Sequence, residues 1–119
     1  MKGLKELIAG TTPGKNQLAV FWLAQSGFAF RTSSGKTIYL DPYLTNSTHK
    51  LIPDIGYGFK RLSYPPIQPE EVEADVVLFS HSHPDHLDTE LLAVLAEKKD
   101  IHVVGSPDCE EAFQKEKIA

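Results

Sequence analysis

Hydrophobic positions in this chain follow a strand-like rhythm first and a helix-like rhythm later. Leu18-Ala19-Val20-Phe21-Trp22-Leu23 is an apolar run of strand length. Gln25-Ser26-Gly27 interrupts it, and Phe28-Ala29-Phe30-Arg31-Thr32 returns. Ser33-Ser34-Gly35-Lys36 turns again before Thr37-Ile38-Tyr39-Leu40-Asp41. Short runs joined by tight glycine-containing turns predict an antiparallel meander. Residues 75–80 carry Val76-Val77-Leu78-Phe79, which predicts a strand buried on both faces. Leu91, Leu92, Leu95 and Ala96 then recur at helical spacing. Asp88 suits the N-cap, Leu87 is placed to staple onto Leu92, and Lys98-Lys99 fall in the last turn. Ile101-His102-Val103-Val104 predicts another buried strand. Ser106-Pro107-Asp108 opens a second helix reaching about residue 117, with serine as cap and proline at the first position. The opening residues 1–8 read as a short amphipathic helix or a frayed tail.

Residues 42–71 break both rhythms. They hold Pro42, Pro53, Pro65, Pro66 and Pro69, five of the eight prolines, with Gly56 and Gly58. Proline removes a donor and fixes φ, so no regular sheet runs through here. Tyr43, Tyr57, Phe59 and Tyr64 want burial or a ligand, which argues against full disorder. A loop of about thirty residues suggests first a substrate-covering lid and second a packed crossover. The element order is then β-β-β, loop, β-α-β-α. Its second half is a parallel βαβ unit, so the class is α/β with a mixed sheet.

Composition narrows the classes. The 119 residues fit one domain, 1–119, with ordinary apolar and charged fractions of 41% and 24%. Net charge is −4, and no basic run exceeds Lys98-Lys99, so nucleic acid is not an expected partner. No apolar run approaches the roughly 18 residues of a membrane helix. The single Cys109 excludes an internal disulfide and suits a reducing, cytoplasmic setting.

Chemistry concentrates at His81-Ser82-His83-Pro84-Asp85-His86, which holds three of the five histidines. Imidazole and carboxylate are the usual nitrogen and oxygen ligands of divalent metals. His81 and His83, at i and i+2 of an extended end, project to one side and reach one ion. Asp85 and His86 lie past Pro84 and aim at a second point nearby. Paired ions in hydrolytic sites sit about 3.5–4 Å apart. A structural zinc site would want more cysteine than Cys109 alone. Asp41, ending its strand before Pro42, is placed either to orient a metal-bound histidine from the outer shell or to initiate a turn. His102 reads as a packed or edge histidine, and His49 carries no role. Lys60 and Arg61 read as a solvated pair, with an anionic or phosphorylated substrate as the second reading.

His81-x-His83-x-Asp85-His86 after Val76-Val77-Leu78-Phe79-Ser80 resembles the signature of the metallo-β-lactamase fold superfamily. Residues 21–28 and Thr37-Ile38-Tyr39-Leu40-Asp41-Pro42 look like the opening strands of its L-ascorbate-6-phosphate lactonase-like branch. Tyr64-Pro65-Pro66-Ile67 is similar to the N-acyl-phosphatidylethanolamine phospholipase D-like branch. The resemblance covers residues from about 18 to 117. It implies His81 and His83 on the first metal, and Asp85 and His86 on the second. Asp85 would also orient the attacking water, and Asp41 would be the outer-shell carboxylate. Two ions, zinc or manganese, would hydrolyse a lactone or ester. Two positions depart from the pattern: Ala24, where the branch commonly has glycine, and Ser82, where an acidic residue is frequent.

The family fold is an αβ/βα sandwich, and this chain matches only its first half. The resemblance therefore implies one mixed sheet with helices on one face and a site lacking the second half's ligands. A small-molecule substrate, no membrane partner, and a possible homo-oligomer through the uncovered sheet face follow as expectations. So do two functional readings: a fragment of a longer metal-dependent hydrolase, or a non-catalytic metal-binding half-domain that needs a partner chain.

Overall fold

The computed structural model of the chain describes residues 2–52 and 59–118. Five strands form one sheet in sequence order. These are β1 (Leu18–Trp22), β2 (Phe28–Thr32), β3 (Thr37–Leu40), β4 (Val76–Phe79) and β5 (His102–Gly105). The first two pairings are antiparallel and the last two parallel, so the sheet is mixed as predicted. Helices α1 (Leu4–Gly10), α2 (Ser47–Leu51), α3 (Thr89–Ala96) and α4 (Glu110–Lys115) complete the fold.

Register sorts the side chains into two faces. Phe21, Ala29, Tyr39, Val77 and Val103 lie side by side across the strands. Side chains in register share a face. Ala29, Tyr39 and Val77, with Phe79 on the same face, are buried against Ile8 of α1 and Leu91, Leu92 and Leu95 of α3. The opposite face carries Val20, Phe30, Ile38, Val76 and His102 in one row. Trp22, Phe28, Leu40, Leu78 and Val104 form the next. No element among the described residues covers that face. Trp22 is 65% exposed and Val20 55%.

The bare face corrects two expectations. β4 is not buried on both sides: Val77 and Phe79 are, whereas Val76 and Leu78 are only partly so. β5 was expected to be buried, but His102 and Val104 are exposed on it. His102 is thus an edge histidine.

Residues 42–71 connect parallel neighbours β3 and β4, and a parallel pair requires a crossover. Their described part is packed rather than a free lid. Tyr43, Leu44, Ile67 and Pro69 are buried, and α2 lies within the stretch. Tyr64 is exposed. Pro53, Gly56 and Tyr57 with Gly58 lie outside the described residues. Arg61 is not half of a solvated pair. Its Nη1 donates to the Tyr43 carbonyl at 2.5 Å, and its guanidinium lies 5.3 Å from the Tyr43 ring centre. Lys60 is exposed.

Asp88 holds this crossover to the covered layer. It is wholly buried, and it caps α3 as predicted, accepting from the Glu90 and Leu91 N–H groups. Its other oxygen, Oδ2, accepts from the Leu44 and Thr45 N–H groups, both at 2.9 Å, and the Thr45 hydroxyl donates to the capping oxygen, Oδ1. The helix at 106–117 starts later than predicted. Pro107–Cys109 forms a 3-10 turn before α4, and the Ser106 side chain makes no cap. Its hydroxyl donates to Asp108 instead. Lys98 lies beyond the end of α3 and donates to the Glu70 and Val72 carbonyls.

Candidate metal centre

The histidine bend begins where β4 ends, at the same sheet end as the carboxyl termini of β3 and β5. Ligand sites in sheets with parallel strands collect at that end. Pro84 stops the ladder, and the His86 and Leu87 N–H groups fold back onto the His83 carbonyl at 2.9 and 2.8 Å. This tight turn draws three imidazoles together. The His81 ring centre is 4.6 Å from that of His83 and 4.1 Å from that of His86.

The donor atoms fall into two pairs. His81 Nε2 faces His83 Nδ1 at 3.1 Å. Two nitrogens each about 2.0–2.1 Å from a tetrahedral zinc stand about 3.3–3.4 Å apart, so this separation fits a ligand pair. His86 Nε2 lies 3.8 Å from Asp85 Oδ2, a second nitrogen–oxygen pair beside the first. The donor set, imidazoles with one carboxylate, therefore suits a borderline divalent ion.

Asp41 sets the orientation of the rings. It follows β3 in the left-handed region, at φ 46°, and its N–H donates to the Leu78 carbonyl at 2.9 Å. Oδ1 accepts from the Ser80 N–H at 2.7 Å, and Oδ2 from the Ser80 hydroxyl at 2.5 Å. Oδ2 also lies 2.9 Å from His86 Nδ1, which leaves His86 Nε2 turned to the bend. The Ser80 hydroxyl lies 2.8 Å from His81 Nδ1, so His81 too is held by one nitrogen with the other presented. Asp41, His81 and His86 have donor atoms within 4.8 Å of one another, close enough to hold one ion. Asp41 nonetheless fits an orienting role better, since both its oxygens already accept from Ser80 and His86. Burial pushes the Asp41 carboxyl up, but the Ser80 hydroxyl and N–H and His86 outweigh it. The group lies below its ordinary range.

Ser80 is a residue whose role no local pattern in the sequence signals. It links Asp41 to His81, and only the neighbouring strand β3 brings it into that role. Gly27 is another. A Cβ there would stand 2.9 Å from the Asp41 carbonyl oxygen, so the β1–β2 turn closes on Asp41 only with glycine. Asp108, from the turn after β5, accepts from the Ser82 N–H at 2.9 Å. His49 lies half-buried on α2, and His102 stands on the bare face of edge strand β5, so neither joins the three clustered rings.

The chain is similar in sequence to known proteins. A family model described as a beta-lactamase superfamily domain matches residues 19–116. A UPF0173 metal-dependent hydrolase of Cupriavidus taiwanensis is 35% identical over 89 residues, 74% of this chain and 27% of its own length. One of Cupriavidus necator is 36% identical over 75 residues, 63% of this chain and 22% of its own. The mitochondrial N-acyl-phosphatidylethanolamine-hydrolyzing phospholipase D of Saccharomyces cerevisiae is 40% identical over 73 residues, 60% of this chain and 14% of its own. The chain thus spans about a quarter or less of the length of these relatives. Among the described residues no helix is long and apolar enough to cross a membrane. With the domain matched over most of the chain, the half-sandwich sheet in place and the histidine bend at its end, the chain belongs to the metallo-β-lactamase superfamily.

Proposed function

We propose that the chain supplies the first half of a two-metal hydrolase. His81 Nε2 and His83 Nδ1 would hold one ion, and Asp85 and His86 Nε2 the other. The carrying observation is the pair of facing nitrogens at 3.1 Å, with His81 held by Ser80 and the adjoining His86 held by Asp41. Such ions, zinc or manganese, lower the pKa of a bound water towards 7 and polarise a substrate carbonyl. The chain's own groups do the positioning. Asp41 accepts from His86 and Ser80 joins Asp41 to His81, and Asp85, exposed at the rim, would orient the attacking water. A lactone or ester is the substrate class we favour, with an anionic or phosphorylated group as a variant. The named activity of the yeast relative makes a phosphodiester the competing class.

The bare sheet face bears on the partner. Its rows of Val, Phe, Ile, Trp and Leu are the composition of a packed layer, not of a surface left in water. The second half of a sandwich, in a longer chain or a second copy, would cover it. Size-exclusion chromatography tests this: a well-folded monomer at high concentration would count against both forms. A second reading is a metal-binding half-domain without activity of its own. The donor pairs favour it in one respect, since the bend provides two protein atoms per ion and catalytic zinc sites typically have three.

Loading with zinc or manganese followed by metal analysis and turnover assays separates the readings. About two ions per chain, with lactone or ester turnover that His83→Ala abolishes, supports the hydrolase. Weak or single binding without turnover supports the half-domain. Turnover retained by His83→Ala removes the bend from the mechanism.

A further inference from the structure

We infer that Asp108 is a positioning residue for the metal-binding bend, an inference that rests on the metal reading above. β4 and β5 are parallel neighbours, so the loops that follow them leave the same end of the sheet. The 3-10 turn Pro107–Cys109 brings Asp108 against the bend, where its Oδ2 accepts from the Ser82 N–H at 2.9 Å. The two residues are 26 apart in sequence. The other oxygen accepts from the Ser106 hydroxyl, which fixes the carboxylate's direction.

The turn that carries Asp108 is itself held. Cys109 is wholly buried, and the Ser106 N–H donates to the Phe79 carbonyl at 3.3 Å. Gly105 lets the turn lie close. A Cβ there would stand 2.8 Å from the Phe113 ring and 2.9 Å from Cys109 Cβ, contacts that real side chains do not make. Asp108 therefore sits on a packed support rather than on a swinging loop.

Ser82 lies between His81 and His83. Holding its amide restricts the backbone twist between the two histidines, one of the variables that set the separation of His81 Nε2 from His83 Nδ1. Asp41 grips the bend from the β3 side through Ser80 and His86. Asp108 grips it from the β5 side. The bend is held between carboxylates sent by the strands on either side of β4, and the second of these acts through the Ser82 amide rather than through an imidazole.

Cobalt(II) titration of the chain tests this. The readouts are the visible spectrum, the affinity by chelator competition, and thermal unfolding, for wild type, Asp108→Ala and Asp108→Asn. Outer-shell partners typically alter metal affinity about 10–100-fold. Asp108→Ala is expected to weaken cobalt binding about tenfold or more and to shift the spectrum. Asp108→Asn should recover most of the loss, because its Oδ1 accepts from the Ser82 N–H and its amide donates to the Ser106 hydroxyl. Wild-type affinity in Asp108→Ala overturns the inference. So does equal loss in both variants, which would mean that charge or general stability, not the hydrogen bond, is at work. Should the wild type take no cobalt, the metal reading falls by itself. Exchange of the Ser82 amide in the metal-free chain then decides: faster exchange in Asp108→Ala, restored by Asn, supports the clamp, and unchanged exchange overturns it.

Discussion

The two faces of the sheet are equally apolar and differently used. On one, Ala29, Tyr39, Val77 and Phe79 are at most 2% exposed beneath α1 and α3. On the other, Leu18, Val20, Trp22 and Val104 are about half exposed or more. Both are rich in β-branched and aromatic residues, so composition alone does not tell them apart. The covered face is apolar because this chain's own helices need it. The bare face is apolar with nothing in the described structure that needs it, and it is the face that the proposed partner layer would cover. The metal bend sits at the sheet end where the two faces meet, so a layer over the bare face would also flank the bend.

Substitutions on opposite faces break the comparison most directly. Leu91→Ala, beneath the sheet, should cost about 2–5 kcal/mol by urea unfolding, the range for truncating a buried leucine. Val20→Lys, on the bare face, should change monomer stability by no more than about 0.5 kcal/mol. It should instead reduce self-association or pairing with a second half. A large loss of monomer stability in Val20→Lys would mean that the face is covered from within this chain.

Asp88→Ala is the next largest change. It removes the acceptor for donors on Leu44, Thr45, Glu90 and Leu91, in a site from which water is excluded. Loss of a helix cap together with orphaned buried donors should cost about 2–4 kcal/mol. The crossover is expected to loosen first, seen as faster amide exchange at Leu44 and Thr45 than in β4. Uniform change across the chain would say that Asp88 is only a cap.

Most of the framework was legible. The meander, β4, the Asp88 cap and the order of elements along the chain follow from local signals: glycine turns, period-two and helical spacing, an acceptor before an apolar stripe. What escaped depends on pairing between distant residues. Ser80 looks like any serine until β3 lies beside it, and Asp108 looks like a helix-start acid until β5 lies beside β4. Val76 and Leu78 stay partly exposed for a related reason. An apolar run says that a face will be covered, not which chain covers it. The crossover's packing was underrated because its prolines mark loop while its anchors, Tyr43 and Ile67, are single residues without a period.

The β1–β2 turn allows a smaller test of the bare face. Ala24 has φ 68° and Gln25 φ 54°, in the region where a Cβ is disfavoured. Ala24→Gly should therefore stabilise the chain by up to about 1 kcal/mol, strain relieved less the added freedom of the unfolded chain. The gain should appear in thermal unfolding without a change in metal affinity. A loss would mean that Ala24 makes contacts worth more than its strain, in the cleft it shares with Trp22 and Asp85.

Asp108 gives the smallest effect, read by titration. The Ser106 hydroxyl first, then the Ser82 N–H, hold its carboxyl down at about 2 against an ordinary 3.8. A carboxyl depressed on folding stabilises the folded state above its unfolded value, about 3.9, and that contribution is lost as pH falls through the folded value. The window is therefore about pH 4 down to 2. The carboxyl carbon shift of Asp108 should titrate near 2 in the metal-free chain, with the Ser82 amide moving at the same midpoint. Ser106→Ala removes the largest cause and should raise that midpoint towards the ordinary value while the Ser82 contact remains. A wild-type midpoint near 3.8 would mean that neither partner holds the carboxylate in solution, and the β5 side of the clamp would then be open.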